Sequence, residues 1–383
     1  MALHFSREEF AERQSRAVAK IVERGLDGLL MFRQESMYYL TGYDTFGYVY
    51  FQCLYLGADG TMTLLTRAPD LRQARFTSTI EDIRIWVDRA GANPADELRA
   101  ILDEHGAGRK RLGVELEAYG LTGRSWRMVE TALDGFCTLD DASELVNELR
   151  VVKSPAEIAY VRKAAELADA ALDEANRLAV PGAFEGDILA AMQGAVFKGG
   201  GDYPGNEFII GSGPGVLLVR YFTGRRHLDA DDQLMIEFAG VYRHYHAALM
   251  RTVLTGSASE LQRDMHKACV EALAAAKEAL RPGRPVGEVF DAHARIFDAA
   301  GYREQRLNAC GYSMGTTFSP NWMDWPMFYT GNPVIAAPDM VFFLHMLLLD
   351  SERGLGMAVG ESVRVSEEGC ERFSRASLDL VVN

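Results

Sequence analysis

The stretch "IEFAGVYRHYHAALMRT", residues 236–252, decides how the chain is read. It reads as two short strands joined by a tight connection. Glu237 follows Leu234, Met235 and Ile236 and precedes Phe238, which predicts a carboxylate in a buried strand. A buried carboxylate is costly unless it is paired or put to use. Two readings follow. In one, Glu237 is the ion-pair partner of Arg251 or Arg243; in the other it is a nucleophile or general base. His244 and His246 flank Tyr245, and period-two alternation predicts both on one face. Facing a pocket, one of them would shuttle protons near neutral pH; otherwise both are surface histidines beside a strand turn.

Composition bounds the rest. A chain of 383 residues exceeds what most single cores hold, so two domains are expected. With 48% hydrophobic and 25% charged residues, the composition is that of a globular protein. A formal net charge of −14 argues against nucleic acid or an anionic membrane as partner. No apolar run approaches the roughly 20 residues of a membrane helix. The start, "MALHFSREEFAERQSR", has no apolar signal core. Five scattered cysteines without a CxxC pair suggest neither a disulfide framework nor a zinc ribbon. A cytoplasmic location with reduced thiols is the expectation.

Residues 1–149 alternate strands and helices. Ser6 and Glu9 form a capping-box pattern before a helix reaching Gly25, then comes the strand "GLLMF". "CLYLGADGTMTLLT" reads as a hairpin turning at Asp59-Gly60. "IEDIRIWV", "PADELRAILDEHG" and "RLGVE" add a strand, a helix and a strand, making an α/β domain. A second domain, 150–383, opens at "SPAE", where Ser154, Pro155 and Glu157 supply N-cap, N1 and N3 of a long helix. Further helices are predicted at about 183–198, 258–281 and 286–300. The runs "NEFIIGSG", "LMIEFAGVY", "AALMRTVLTG", "MVFFLHMLLLD" and "ESVRV" are strands, so this domain is α+β with an antiparallel sheet.

Other candidates stand outside the hairpin. Tyr312 in "CGYSMG" lies between glycines that permit close approach to a ligand; it donates to a developing anion or is a packed aromatic. His345 lies in an apolar strand as catalytic group or core histidine, and Glu361 is placed to orient it or an attacking water. Asp202 and Tyr203 follow three glycines in a ligand-binding loop or a plain turn. Arg220 clamps a substrate carboxylate or is a surface residue. Trp322 and Trp325 in "SPNWMDWPMF" wall an apolar or cationic substrate or pack in the core.

The order of these segments resembles the creatinase/prolidase/methionine-aminopeptidase family with its pita-bread fold. "VKSPAEIAYVRKAAELAD" looks like the opening of that family's catalytic domain, and "DDQLMIEFAGVYRHYHAALMRTV" like its central hairpin. "ACGYSMG" and "DMVFFLHMLLLD…GESVRV" look like its later motifs, and the N-terminal domain looks like that of prolidases. The resemblance implies a dinuclear site whose five ligand positions fall on Glu237, Ala248, Tyr312, His345 and Glu361. Only Glu237, His345 and Glu361 retain donors, so the bridged pair is lost and no metal or other cofactor is expected. One metal on these three residues is the alternative.

Creatinase is a metal-free branch of that family, but Arg220 falls where its histidine base would stand. The ectoine hydrolases, another metal-free branch, are similar in "GGDYP", "EFAGVYRHYHAALMRT", "CGYSMG", "SPNW" and "YYLTGYD". That resemblance implies metal-independent opening of a cyclic amidine or amide in a small molecule. Glu237 would be the nucleophile, His246 or His345 would protonate the departing nitrogen, and Glu361 and Tyr312 would assist. A creatinase-like amidinohydrolase, an Xaa-Pro dipeptidase-like enzyme and a decayed peptide-binding module are the alternatives. The resemblance also implies a homodimer, in which Tyr43, Asp44 and Phe46 contact the partner's pocket.

Overall fold

The computed structural model describes residues 3–220 and 224–383. Contacts divide the chain into two units, Met1–Arg150 and Val151–Asn383. The first comprises α1 (Arg7–Glu23), β1 (Gly28–Met31), α2 (Gln34–Thr41), β2 (Cys53–Gly57), β3 (Met62–Arg67) and α3 (Asp70–Thr77). It continues with β4 (Asp82–Trp86), α4 (Pro94–Glu104), β5 (Arg111–Val114), α5 (Gly123–Leu133), β6 (Thr138–Asp141) and α6 (Leu145–Arg150). These strands form one six-stranded sheet in the order β4-β3-β2-β1-β5-β6. Ser6 caps α1 as the pattern predicts, its side chain accepting from Glu9 N at 3.1 Å. α2 was not anticipated, because its aromatic run "MYYL" favours strands in isolation. It is started by tertiary context. The buried Glu115 accepts from Phe32 N at 3.1 Å and Arg33 N at 2.9 Å, taking the place of a local cap.

The second unit holds α7 (Pro155–Leu178), α8 (Glu185–Lys198), β7 (Ile209–Ser212), β8 (Asp232–Tyr242), β9 (Tyr245–Thr255), α9 (Glu260–Ala279) and α10 (Gly287–Ala299). It ends with β10 (Gly311–Ser313), β11 (Asp324–Met327), β12 (Val341–Asp350), β13 (Leu355–Val365), β14 (Cys370–Arg372) and β15 (Val381–Val382). The main sheet runs β11-β10-β12-β13-β9-β8-β7, with all neighbours on that path antiparallel. The capping box at Ser154 and Glu157 is complete.

Helices cover one face of this sheet. Leu234, Ile236, Phe238, Leu249 and Val253 pack under α7 and α8. Phe342, Leu344, Met346, Val359 and Val363 pack under α9 and α10. α7 crosses β8 so closely that a methyl group on Gly240 would stand 2.0 Å from the Ala164 carbonyl oxygen. Alternation then sends Glu237, Ala239, Ala248, Met250, Gly360 and His345 to the other, concave face. That face is strongly curled. Four inter-strand steps separate β8 from β10, roughly 19 Å on a flat sheet, yet Tyr312 on β10 contacts Glu237 on β8 at 3.4 Å. Among the described residues, no helix is long and apolar enough to cross a membrane.

Candidate active site

The opening hairpin turns on Arg243 and His244, both with positive φ (50° and 64°), between β8 and β9. Two residues at positive φ make the tight type of connection that matches strand twist. Glu237 lies five residues before Tyr242, about 17 Å along the strand from the turn. Its neighbours Gln233–Ile236 and Phe238–Val241 are buried, while Glu237 itself is partly open. His345 repeats this in β12, as a partly open residue among buried neighbours. Glu237 and His345 are thus both polar and partly open on the concave face.

Tyr312 bridges them. Its hydroxyl donates to Glu237 Oε1 at 3.4 Å and accepts from Trp322 Nε1 at 2.8 Å. Its ring lies 5.8 Å from the His345 ring, with Phe343 5.5 Å from the same histidine. Burial pushes the Glu237 carboxyl up to about 7, while the Arg220 guanidinium and the Tyr312 hydroxyl oppose the rise. Burial pushes His345 down to about 4, helped by the same Arg220, so its imidazole stays neutral. Tyr312 is driven well above its usual range, by burial first and Glu237 second, and remains a neutral O–H donor. Arg220 is exposed but acts electrostatically on all three groups. The arrangement gathers a carboxylate poised near neutrality, a hydroxyl donor and a neutral imidazole beside the rings of Phe343 and Trp322, within the field of the Arg220 guanidinium. Such a set can exchange a proton with water and bind a substrate carrying both cationic and anionic groups.

Several expectations need correction. Glu361 is not in this cluster. It pairs with Leu249 in the β13–β9 register, which puts it on the helix-covered face. There it is fully buried and binds Lys277 Nζ at 2.9 Å and Arg372 Nη2 at 2.7 Å. The concave position in the same strand is Gly360, opposite Met250. Arg251 also belongs to the helix face, donating from Nη1 to Met250 O and Gly360 O, and Arg243 stacks 4.9 Å over Tyr160 at the turn. Neither is the ion-pair partner of Glu237.

The two histidines do not share a strand face, because His244 is a turn residue. Its ring stacks on Phe318 at 4.2 Å. His246 is fully buried about 13 Å along the sheet from Glu237. Its Nε2 accepts from Gly205 N at 2.8 Å and its Nδ1 faces His244 O at 2.9 Å. Burial, with nearby His244, pushes it down to about 3. It is a neutral, satisfied core histidine and no proton donor at neutral pH. Asp202 receives His244 N at 3.4 Å at the turn, while Tyr203 is 81% exposed and stands edge-on to Phe197. Trp325 packs against the core beneath α9 and α10, whereas Trp322 walls the site. Tyr43 is wholly buried in its own unit, its hydroxyl 3.3 Å from Gln52 Oε1, and is closed to any partner. Asp44 is partly buried there, and Phe46 is 70% exposed. Sequence reasoning missed Phe343, Met250 and Gly360, whose roles depend on register.

A family model described as metallopeptidase family M24 matches residues 159–367, and one described as the creatinase/prolidase N-terminal domain matches residues 13–152. The chain is 28% identical to the ectoine hydrolase of Halomonas elongata, covering 100% of this chain and 99% of that one. It is 23% identical to the Xaa-Pro dipeptidase of Pyrococcus furiosus, over 97% of this chain and 99% of that one. A prolidase from Thermococcus sibiricus shares its fold with a TM-score of 0.88 at 21% identity, covering 99% and 100% of the two chains.

A pair of metal ions requires bridging carboxylates that hold the ions about 3.5–4 Å apart. Around Glu237, the concave positions carry Met250, Ala248, Gly360 and Tyr312, none of them a carboxylate. Among the described residues, no group of three His, Cys, Asp or Glu side chains converges as a metal site. With Glu361 on the opposite face, the single-metal set of Glu237, His345 and Glu361 does not converge either. The residues present do not fit the metal centre that the family description implies.

Proposed function

The chain belongs to the metallopeptidase family M24, and from that premise we propose that it hydrolyses a non-peptide C–N bond without a metal. The substrate is a small cyclic amidine of the ectoine class. The observation that carries this reading is the Glu237 carboxyl, held near 7 beside Tyr312 and under the field of Arg220. The full-length likeness to an ectoine hydrolase supports the substrate class. Arg220 binds the substrate carboxylate, while Trp322 and Phe343 flank the amidinium.

The resemblance to ectoine hydrolases implies Glu237 as the nucleophile, with a histidine protonating the leaving nitrogen. His246 is remote and His345 is neutral, so neither supplies that proton. In the mechanism we favour, ionised Glu237 takes a proton from water as the water oxygen bonds to the amidinium carbon. The C=N electron pair moves onto nitrogen, giving a neutral tetrahedral adduct. Protonated Glu237 then donates to the leaving nitrogen, that C–N bond breaks, and the hydroxyl oxygen forms the carbonyl. The hydroxyl proton passes to the released amine, so amidinium and water become amide and ammonium. Tyr312 steadies the carboxylate whenever it is charged.

The test is hydrolysis of ectoine, creatine, proline dipeptides and small amides by protein stripped with chelator. Ectoine turnover that survives the chelator is expected. Turnover of dipeptides only, restored by added divalent metal, would overturn the proposal. A covalent ester on Glu237, seen by mass spectrometry, would return the attack to Glu237 itself. We also propose a cytoplasmic homodimer, with Phe46 rather than Tyr43 as the aromatic offered to the second copy. A monomer in light scattering at micromolar concentration would refute it.

A further inference from the structure

We propose that His246 is a positioning residue that holds Trp322 over Tyr312 and thereby arranges the Glu237 site from a distance. His246 is fully buried, and both of its ring nitrogens are committed. A backbone N–H can only donate, so Nε2 accepts from Gly205 and the ring proton sits on Nδ1, directed at His244 O. Thr317 Oγ1 lies 3.2 Å from the same Nδ1. One ring thus pins three pieces of chain: the loop at Gly205, the hairpin turn at His244 and the segment at Thr317.

The segment around Thr317 is stitched to the hairpin on both sides of that ring. His246 N donates to Gly315 O at 3.2 Å, and Thr317 N donates to His244 O at 3.2 Å. Phe318 then lies on the His244 ring, and Asn321 N closes back on Phe318 O at 3.3 Å. Trp322 follows at once. Its backbone is confined from the other direction by Gly205, where a methyl group would stand 2.7 Å from Asn321 O and 3.3 Å from Trp322 N. The residue His246 holds by its N–H is therefore the one against which Asn321 and Trp322 pack. From there the indole N–H donates to Tyr312, and the Tyr312 hydroxyl donates to Glu237. Asp324 and His244 are the titratable neighbours acting on His246, and Arg220 and Tyr312 those acting on Glu237.

This role depends on geometry around Glu237 and not on which molecule is hydrolysed, so the substrate-free protein suffices to test it. Four tryptophans give four indole N–H signals in the nitrogen-15 labelled chain. Tyr312→Phe removes the acceptor of Trp322 and so identifies its signal by an upfield move. His246→Phe keeps an aromatic ring but cannot accept from Gly205 or donate to His244. It should displace the Trp322 signal in the same direction by at least half as much, with the other three in place. A folded His246→Phe protein whose Trp322 signal stays at the wild-type position overturns the proposal. Should His246→Phe fail to fold, Gly205→Ala strikes the same link through Asn321. The same displacement is then expected, and an unmoved Trp322 signal is again fatal to the idea. Loss of ectoine turnover is not the readout, so failure of the substrate assignment leaves this test intact.

Discussion

Two glutamates on opposite faces of one sheet meet opposite fates. Glu361 on the helix-covered face is fully buried and gripped by Lys277 and Arg372. Glu237 on the concave face is partly open, accepts among the described residues a hydrogen bond from the Tyr312 hydroxyl at 3.4 Å and feels Arg220 through space. Charged partners within bonding distance turn the first carboxylate into structure. Without such a partner among the described residues, the second is left by burial with a carboxyl close to half-protonated near neutral pH, which suits proton exchange during catalysis.

Replacing each with glutamine should separate the two roles by the widest margin. Glu237→Gln keeps shape but abolishes proton exchange, and should lower turnover on the order of 10³-fold or more. Its melting temperature should hold or rise. Glu361→Gln strands two cations, one of them only 24% exposed, and should cost about 3 kcal/mol, the low end for a broken buried pair. Turnover measured well below its melting temperature should be largely retained. Turnover and melting curves on both proteins check the contrast, and a stability loss in Glu237→Gln with activity kept would reverse it.

The same pair should differ in how stability follows pH. A folded-state value of about 7 against the ordinary 4.5 means that native Glu237 binds its proton more tightly than the unfolded chain does. The contribution of Glu237 to stability is therefore greatest below about 4.5, falls as pH rises toward 7 and levels above it. Glu237→Gln should remove that fall, gaining on the order of 3 kcal/mol over wild type by neutral pH. The depressed His246 and His345 contribute the opposite slope, stability lost as pH drops from 6.5 toward 3–4, but they are common to both proteins and cancel in the difference. Denaturant titrations at pH 4.5 and 8 give the answer, and a wild-type-minus-variant difference independent of pH would show that Glu237 is not perturbed.

Much of this was legible in the sequence wherever the signal was local. The capped start of α7, the Glu237 hairpin and the strand runs all follow from residue type and spacing. Which face a side chain takes is less local. Glu361 was misplaced because motif alignment tolerates a slip of one residue, and one residue in a strand is the difference between pocket and core. His244 escaped its predicted face because the turn falls on Arg243 and His244, residues not typical of a tight connection. The Tyr312–Glu237 contact follows from the sheet's curl, which no single segment encodes.

Arg220 tests whether a cation at a distance is part of the Glu237 design. Arg220→Met keeps an unbranched chain without charge. Loss of charge-assisted bonds to a substrate carboxylate, worth about 1.5–3 kcal/mol, should reduce kcat/KM roughly 10- to 100-fold. The acid limb of the pH–rate profile should also move to higher pH, because the guanidinium opposes the rise of Glu237. An unchanged limb with only KM raised would confine Arg220 to substrate binding.

The smallest effect belongs to the hydroxyl between Trp322 and Glu237. At 3.4 Å the Tyr312 bond to the carboxylate is long, so it contributes toward the weak end of hydrogen bonds to charged groups. Tyr312→Phe should lower turnover only a few-fold, the effect of a bond worth about 1 kcal/mol. The sign in pH is fixed by which form the hydroxyl favours. It donates to the carboxylate, so its removal disfavours the charged form and moves the acid limb upward, the same direction as Arg220→Met but by less. Trp322 meanwhile loses its acceptor inside a buried wall, so Tyr312→Phe should destabilise the fold slightly, by about 1–2 kcal/mol. Tyr312→Phe combined with Glu237→Gln separates the two contributions. If the hydroxyl acts on catalysis only through the carboxylate, the double variant should turn over no more slowly than Glu237→Gln alone while still showing the stability loss. A further drop in turnover in the double variant would give Tyr312 a contact of its own with the substrate.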